Sequence, residues 1–417
     1  MNKINIKIPN IGKNIGHLYK SINNIHKSLK KYDVTYSNVQ ITNTQNISII
    51  KIIKYFYDNK LLDNSIKLDQ HVIFKKLLEL DDLNELNNWI NNNGSDVMDR
   101  VNQLSNSNKI PISLQNPFID TILLNKFVEM NILDYLLNQL DYKHSYKLNY
   151  MNLQLNLVIY SKTKTISKKI LNNIIDRIIV LGLYKSKIEL LKINIDIFMT
   201  PFKKKISKDT KILGTREINS GFSAHNYKIC IFRKEELNKV LVHELIHYLD
   251  LDLNVVDFPD FYKYFNLADT NEVKLNEAYT EILAVLINSI ITSKNITECK
   301  KILNSELKFS FYQVGKILNL YNFINAYDFF QPNTNNKFKQ NTSVFSYFIV
   351  KTIVLFNIDT FLELYYNSKI NKYNFKDIVL SFIDHELIGI FDKFIKYIKQ
   401  HPQQNSLFTT LKMTYNE

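Results

Sequence analysis

The sequence predicts an α+β chain. A small mixed sheet and one central helix fill the middle, a helical region follows, and a mainly helical region precedes them. Three observations carry this. Between 153 and 199 apolar residues alternate with polar ones, then recur at helical spacing, then alternate again. After about residue 234 the apolar stretches repeat with a period near that of a helix. Before 150 the apolar residues fall in helical patterns broken by Asn- and Ser-rich stretches. With 417 residues, 45% of them hydrophobic, the chain can bury a large core in two or three packed units. These are expected over 1–150, 151–255 and 256–417.

In the first unit the helical patterns run over 15–29, 47–57, 72–80, 83–90 and 118–140, with breaks at 91–95 and 105–109. No chemical motif lies there, so it reads equally as a regulatory, inhibitory, substrate-docking or scaffolding segment. A strand follows at Leu153, Leu155, Leu157 and Ile159. Ile166, Ile170, Leu171, Ile174, Ile175, Ile178 and Ile179 then mark a helix, and Leu191, Ile193, Ile195, Ile197 and Met199 a second strand that Pro201 closes. The basic run 203–205 reads as an exposed loop. Segments 212–222 and 227–232, joined through Gly221 and Asn226, read as a hairpin leading into the central helix. That helix is expected from about 234, where Glu235 and Glu236 suit its positive end. Further helices are expected over 274–284, 301–326, 343–356, 360–366 and 375–398.

The central helix carries His243-Glu244-Leu245-Ile246-His247. Residues four apart share a helix face, so both imidazoles can reach one metal ion while Glu244 faces a water beside it. With 9 His in the chain, chance supplies this pattern about 0.01 times per chain of such length. The flanking Leu241 and Leu249 are apolar and no Pro or Gly interrupts the turn, as a helix buried on most sides requires. The plainer alternative is a buried helix with two incidental histidines. A catalytic zinc takes a third protein ligand, and Asn276-Glu277 with Glu281 one turn later offers two acidic candidates on another apolar-periodic helix. The four-residue spacing alone permits either to be the ligand, and on a solvated face both would be ordinary surface groups.

This pair of motifs resembles the gluzincins, the thermolysin-like zinc proteases, over about 151–390. The resemblance implies a zincin-like catalytic region, with a sheet and the His-Glu-x-x-His helix above, a helical half below, and a cleft between. It implies one Zn²⁺ on His243, His247 and Glu277. Glu281 then matches the acid that orients the first histidine, with Glu in place of the family's Asp. It further implies that Glu244 is the general base of peptide-bond hydrolysis, and that Asn219, Ser220, Gly221 and Phe222 lie near the strand edge that holds an extended polypeptide substrate. Tyr347 and His385 lie late in the chain, where gluzincins place a proton-donating Tyr or His. With 25 Tyr present, core packing competes with that role for Tyr347. A metzincin would need Gly at 250 and His at 253, where Asp250 and Leu253 stand. An aspartate ligand from Asp250, Asp252, Asp257 or Asp269 stays open, although a solvated loop explains them more simply. The Asn/Lys/Ile bias together with the motif pair is similar to zinc metalloproteinases of large DNA viruses, which implies action in the cytoplasm, a virion or a viral factory.

The remaining composition bounds other functions. There are 53 basic and 40 acidic residues, and the formal net charge is +13. The lysines are dispersed with no nucleic-acid module, so nonspecific attraction is all the charge supports. Cys230 and Cys299 are too few for a disulfide framework. No apolar run of membrane-spanning length and no apolar signal core occur, so a soluble intracellular protein is expected. Two further classes stay open: an inactive interaction protein on the same fold, and a zinc hydrolase of a nonpeptide bond.

Overall fold

The computed structural model describes residues 11–12, 14–29, 32–40, isolated positions within 128–136, and 139–415 apart from 186–189, 207–209, 225–226, 255–263, 269–272, 332–335 and 402–408. The expected helices at 47–57, 72–80 and 83–90, and most of 118–140, lie outside the described residues.

One open mixed sheet organises the upper half. Its strands are β1 (Val34–Gln40), β2 (Tyr142–Tyr150), β3 (Leu153–Ser161), β4 (Leu191–Phe198), β5 (Gly221–Ala224) and β6 (Lys228–Ile231), in the order β1-β2-β3-β4-β6-β5. β1, β2 and β3 form an antiparallel meander, β3–β4 and β4–β6 are parallel, and β5 runs antiparallel to β6. The alternation read in the sequence is the burial pattern: Leu153, Leu155, Leu157 and Ile159 of β3, and Ile193, Ile195 and Ile197 of β4, are buried. The parallel β3–β4 step is bridged by α2 (Lys168–Lys185), whose Ile174, Ile175, Ile178 and Ile179 cover the sheet.

The described residues just before 150 belong to this sheet. β2 pairs with β3 along its whole length, from Tyr142 opposite Ser161 to Tyr150 opposite Leu153. α1 (Ile15–Ser28) buries Ile15, Leu18 and Ile22 in the same core. Position 150 thus falls within the β2–β3 hairpin. The expected hairpin also starts late, because Thr215–Ile218 forms a one-turn helix, α3, before β5 begins at Gly221. The buried Glu217 carboxylate accepts from the Gly214 N–H at 3.1 Å and closes that turn.

The lower half is helical. It comprises α4 (Leu237–Tyr248), α5 (Leu275–Thr292), α6 (Ile296–Leu320), α7 (Tyr327–Phe330), a π-helical stretch Phe345–Val350 running into α8 (Lys351–Phe356), α9 (Ile358–Tyr366), α10 (Phe375–Ser381) and α11 (His385–Gln400). The helix expected from 301 begins earlier, where the Asn295 side chain accepts from Glu298 N–H. The helix expected over 375–398 is two, because Asp384 caps a new one through Leu387 N–H at 2.8 Å. α4 lies between the sheet and α5, contacting β5, β6 and α2 on one side and α5 on the other. Among the described residues no single helix is long and apolar enough to cross a membrane.

Candidate metal centre

α4 is placed by interactions at both ends. Its first residue follows Glu236, which sits in the left-handed region at φ 60°. The Glu236 carboxylate does not cap the helix as its position suggested. It is buried, accepts from Met413 and Thr414 N–H at 2.6 Å each, and lies 2.8 Å from Lys204 Nζ. Glu235 likewise turns away, accepting from Lys204 N–H at 2.6 Å. Lys204 is 1% exposed, so the basic run at 203–205 is not wholly a solvated loop. At the far end Asp250 takes φ 53°, and Leu251 N–H reaches Ile246 O while Asp250 N–H reaches His247 O. This is the Schellman pattern, with Asp tolerated where Gly is common. The reversal returns Asp252 to the helix, and its Oδ2 lies 2.7 Å from His247 Nδ1.

The two histidines project from one face of α4 toward the first turns of α5. His243 Nε2 and His247 Nε2 each lie 3.3 Å from Glu277 Oε2. One turn along α5, Glu281 Oε2 lies 3.0 Å from His243 Nδ1. Each imidazole thus has a carboxylate on its outer nitrogen and turns its other nitrogen toward a shared point. Among the described residues, His243, His247 and Glu277 form the group of potential metal ligands whose donor atoms all fall within 4.8 Å of one another. Ligands about 2.0–2.1 Å from a tetrahedral zinc stand about 3.3 Å apart. The two nitrogen-to-carboxylate separations match that spacing, and the donors suit zinc, so the residues fit the ion. Of the two acids left open by the sequence, Glu277 is at the meeting point and Glu281 is behind His243.

A cleft of about 1000 Å³ opens over this point. One wall is β5 with Asn219, Gly221, Phe222 and Ser223, and the other holds Gln340, Asn341, Thr342 and Ser343. Among the described residues β5 pairs on one side only, with β6. Glu244 and Tyr347 line it as well. Burial raises the Glu244 carboxyl above the usual carboxylate range, opposed by the histidines, while a hydrogen bond from Ser223 also works against it. Tyr347 sits in the π-helical stretch and donates to Glu277 Oε2 at 2.9 Å. Burial, with Glu277 and Glu244 nearby, pushes its phenol well up, so it stays protonated. Burial alone would raise Glu277 and lower His247. Hydrogen bonds from His243 and His247 hold the Glu277 carboxyl well down, and Asp252 and Glu277 push His247 up to about 10.

Several expected site residues fall elsewhere. His385 is exposed and does not line the cleft, because the Asp384 cap makes it the first residue of α11. Ser220 is 4% exposed and does not line the cleft; it borders a smaller adjoining pocket with Asn219, Gly221 and Glu244. Asp250 lines the cleft but serves the helix reversal, and Asp252 holds the outer nitrogen of His247. Asp257 and Asp269 lie outside the described residues. Ser223, Lys239 and Asn341 were not singled out by sequence. For Lys239 a signal existed, since it stands one turn before His243 among apolar residues.

No family model matches the chain, and no solved structure matches it. Over 185 residues it is 35% identical to an uncharacterized protein, R210, of Acanthamoeba polyphaga mimivirus. The match covers 41% of this chain and 46% of that protein, so the chain spans less than half the length of the relative it matches. The similarity ties the chain to a protein of a large DNA virus.

Proposed function

We propose that this chain is a zinc-dependent endopeptidase of the gluzincin type. The observation that carries the reading is the convergence of His243 Nε2, His247 Nε2 and Glu277 Oε2 on one point at the floor of the cleft, with Glu244 beside it. A zinc ion held there supplies Lewis acidity to water and to a substrate carbonyl. Glu244, made more basic by burial, takes the proton of the attacking water and passes it to the leaving nitrogen. Tyr347 keeps its proton and can donate it as a hydrogen bond where negative charge grows on the carbonyl oxygen. Asp252 and Glu281 hold the two rings by their outer nitrogens.

A peptide substrate is favoured over a nonpeptide one by the one-sided strand beside the cleft. β5 offers backbone groups at Gly221, Phe222 and Ser223 to which an extended chain can pair. The presence of Glu244 with all three donors speaks against an inactive relative of the fold. The test is cleavage of a mixed peptide library by wild type and Glu244→Gln, with zinc measured in both. Cleavage by wild type is expected, slowed about 10²–10⁴-fold or more in the variant, with zinc retained in each. Equal cleavage by both would remove Glu244 as the base. No cleavage by wild type with zinc bound would overturn the peptidase reading.

A further inference from the structure

Behind Glu281 lies a layer of buried charge that the proposed hydrolysis does not use. Lys239, one turn before His243 on α4, is 1% exposed. Its Nζ donates to both oxygens of Glu281, at 2.8 and 2.9 Å, and lies 3.5 Å from Met413 Sδ. Met413 belongs to residues 409–415, a strap that runs through the core beside Lys204 and Glu236. Leu411 N–H donates to Lys204 O at 3.0 Å, Met413 and Thr414 N–H donate to Glu236, and the Thr414 hydroxyl donates to Glu306 at 2.6 Å. Lys351 Nζ ties the same strap to the site, donating to Met413 O at 2.8 Å and lying 3.6 Å from Glu281 Oε1.

A glutamate's terminal torsion is broad, so one hydrogen bond to an imidazole does not fix the plane of its carboxylate. Two contacts from one ammonium do, provided that the ammonium is itself held. Glu281 and the strap's Met413 both hold Lys239. With both Glu281 oxygens engaged, Oε2 presents a fixed acceptor to His243 Nδ1, and the ring's Nε2 is aimed at Glu277. Paired buried charges are often replaceable by apolar side chains without loss of stability, so this clamp invites a role besides stability.

We propose that Lys239 is a positioning residue for the metal centre, setting the orientation of His243 by clamping Glu281 against the C-terminal strap. This rests on the reading of His243, His247 and Glu277 as metal ligands. The test is a double-mutant cycle in the full chain, comparing wild type, Lys239→Met, Glu281→Gln and the double variant. Zinc affinity is measured by competition with a chromogenic chelator, and the visible spectrum of the cobalt(II)-loaded protein reports ligand geometry.

Glu281→Gln is expected to weaken zinc binding about 10 to 100-fold. Lys239→Met should weaken it and change the cobalt spectrum, and the double variant should bind no more weakly than Glu281→Gln alone. Wild-type affinity and spectrum in Lys239→Met would overturn the proposal, as would full-strength binding by Glu281→Gln. A double variant weaker by the product of the single effects would overturn it too. Should Lys239→Met fail to fold, the double variant, which removes both charges together, still decides against Glu281→Gln. Wild type binding metal and His243→Ala losing it shows that the ligand reading stands whichever way Lys239 falls. No binding by wild type would fail both.

Discussion

Gly221 stands where β5 passes closest to the proposed base. A Cβ there would lie 3.2 Å from Glu244 Oε1 and 3.0 Å from the carbonyl of Cys230, and the second neighbour is backbone that cannot swing aside. Gly221→Ala should therefore displace the Glu244 carboxylate, cost about 1–3 kcal/mol of stability, and slow peptide cleavage at least about tenfold with zinc content unchanged. Steady-state rates beside metal analysis check it; a wild-type rate would show that Glu244 has room to spare. Asp252→Ala should act on the metal instead, weakening zinc binding about 10 to 100-fold by freeing the His247 ring, which chelator competition reads. The His-Glu-x-x-His pair was legible in the sequence because it depends on spacing within one helix turn, whereas spacing offered Glu277 and Glu281 alike, and only the meeting of α4 with α5 sets Glu277 beside both Nε2 atoms. Asp252 was legible only as one of several loop acids, since its contact depends on the left-handed turn at Asp250. Ser223 and Asn341 carry no spacing signal, because chain separation has nothing to do with their meeting across the cleft.

At the scale of elements, the strap formed by residues 409–415 is the least expected feature. Its sequence is short, and it buries Leu411 and Met413 in the core together with several backbone hydrogen bonds. Ending the chain at residue 410 would leave Glu236, Glu306 and Lys351 without backbone or hydroxyl partners that they now have. Each buried group so exposed costs about 1–3 kcal/mol, so the truncation should lower stability by about 5 kcal/mol or more and depress the melting temperature by about 5 °C or more. Thermal melts of both forms measure this, and a wild-type melting temperature would refute it. β3, α2 and β4 were legible because their apolar periods switch cleanly between two and 3.6. β1 and β2 were not. β1 is mostly exposed, and the buried face of β2 is His144, Tyr146 and Leu148, so an aromatic and polar alternation escaped a count of aliphatic residues. The break between α10 and α11 was hidden for a similar reason, since one capping Asp ended a periodicity that continued across it.

At the scale of the whole molecule, the sheet edge forms one wall of the cleft and the lower helical half the other, with α4 between them. The potential ligands come from two helices: His243 and His247 from α4, Glu277 from α5. A bound ion would therefore couple the two helices, and its removal should be felt globally. Stabilisation by a ligand at a thousand times its Kd is about 4 kcal/mol, so exhaustive chelation should lower the melting temperature by several degrees and zinc should restore it, while magnesium should not. The measurement that bears most directly on the central claim is X-ray absorption at the zinc edge of the purified full-length protein. One zinc per chain is expected, with only nitrogen and oxygen neighbours at about 2.0–2.1 Å and the outer-shell scattering of two imidazoles, reduced in His247→Ala. Protein without zinc, or a sulfur shell at about 2.3 Å, would contradict a centre built from His243, His247 and Glu277.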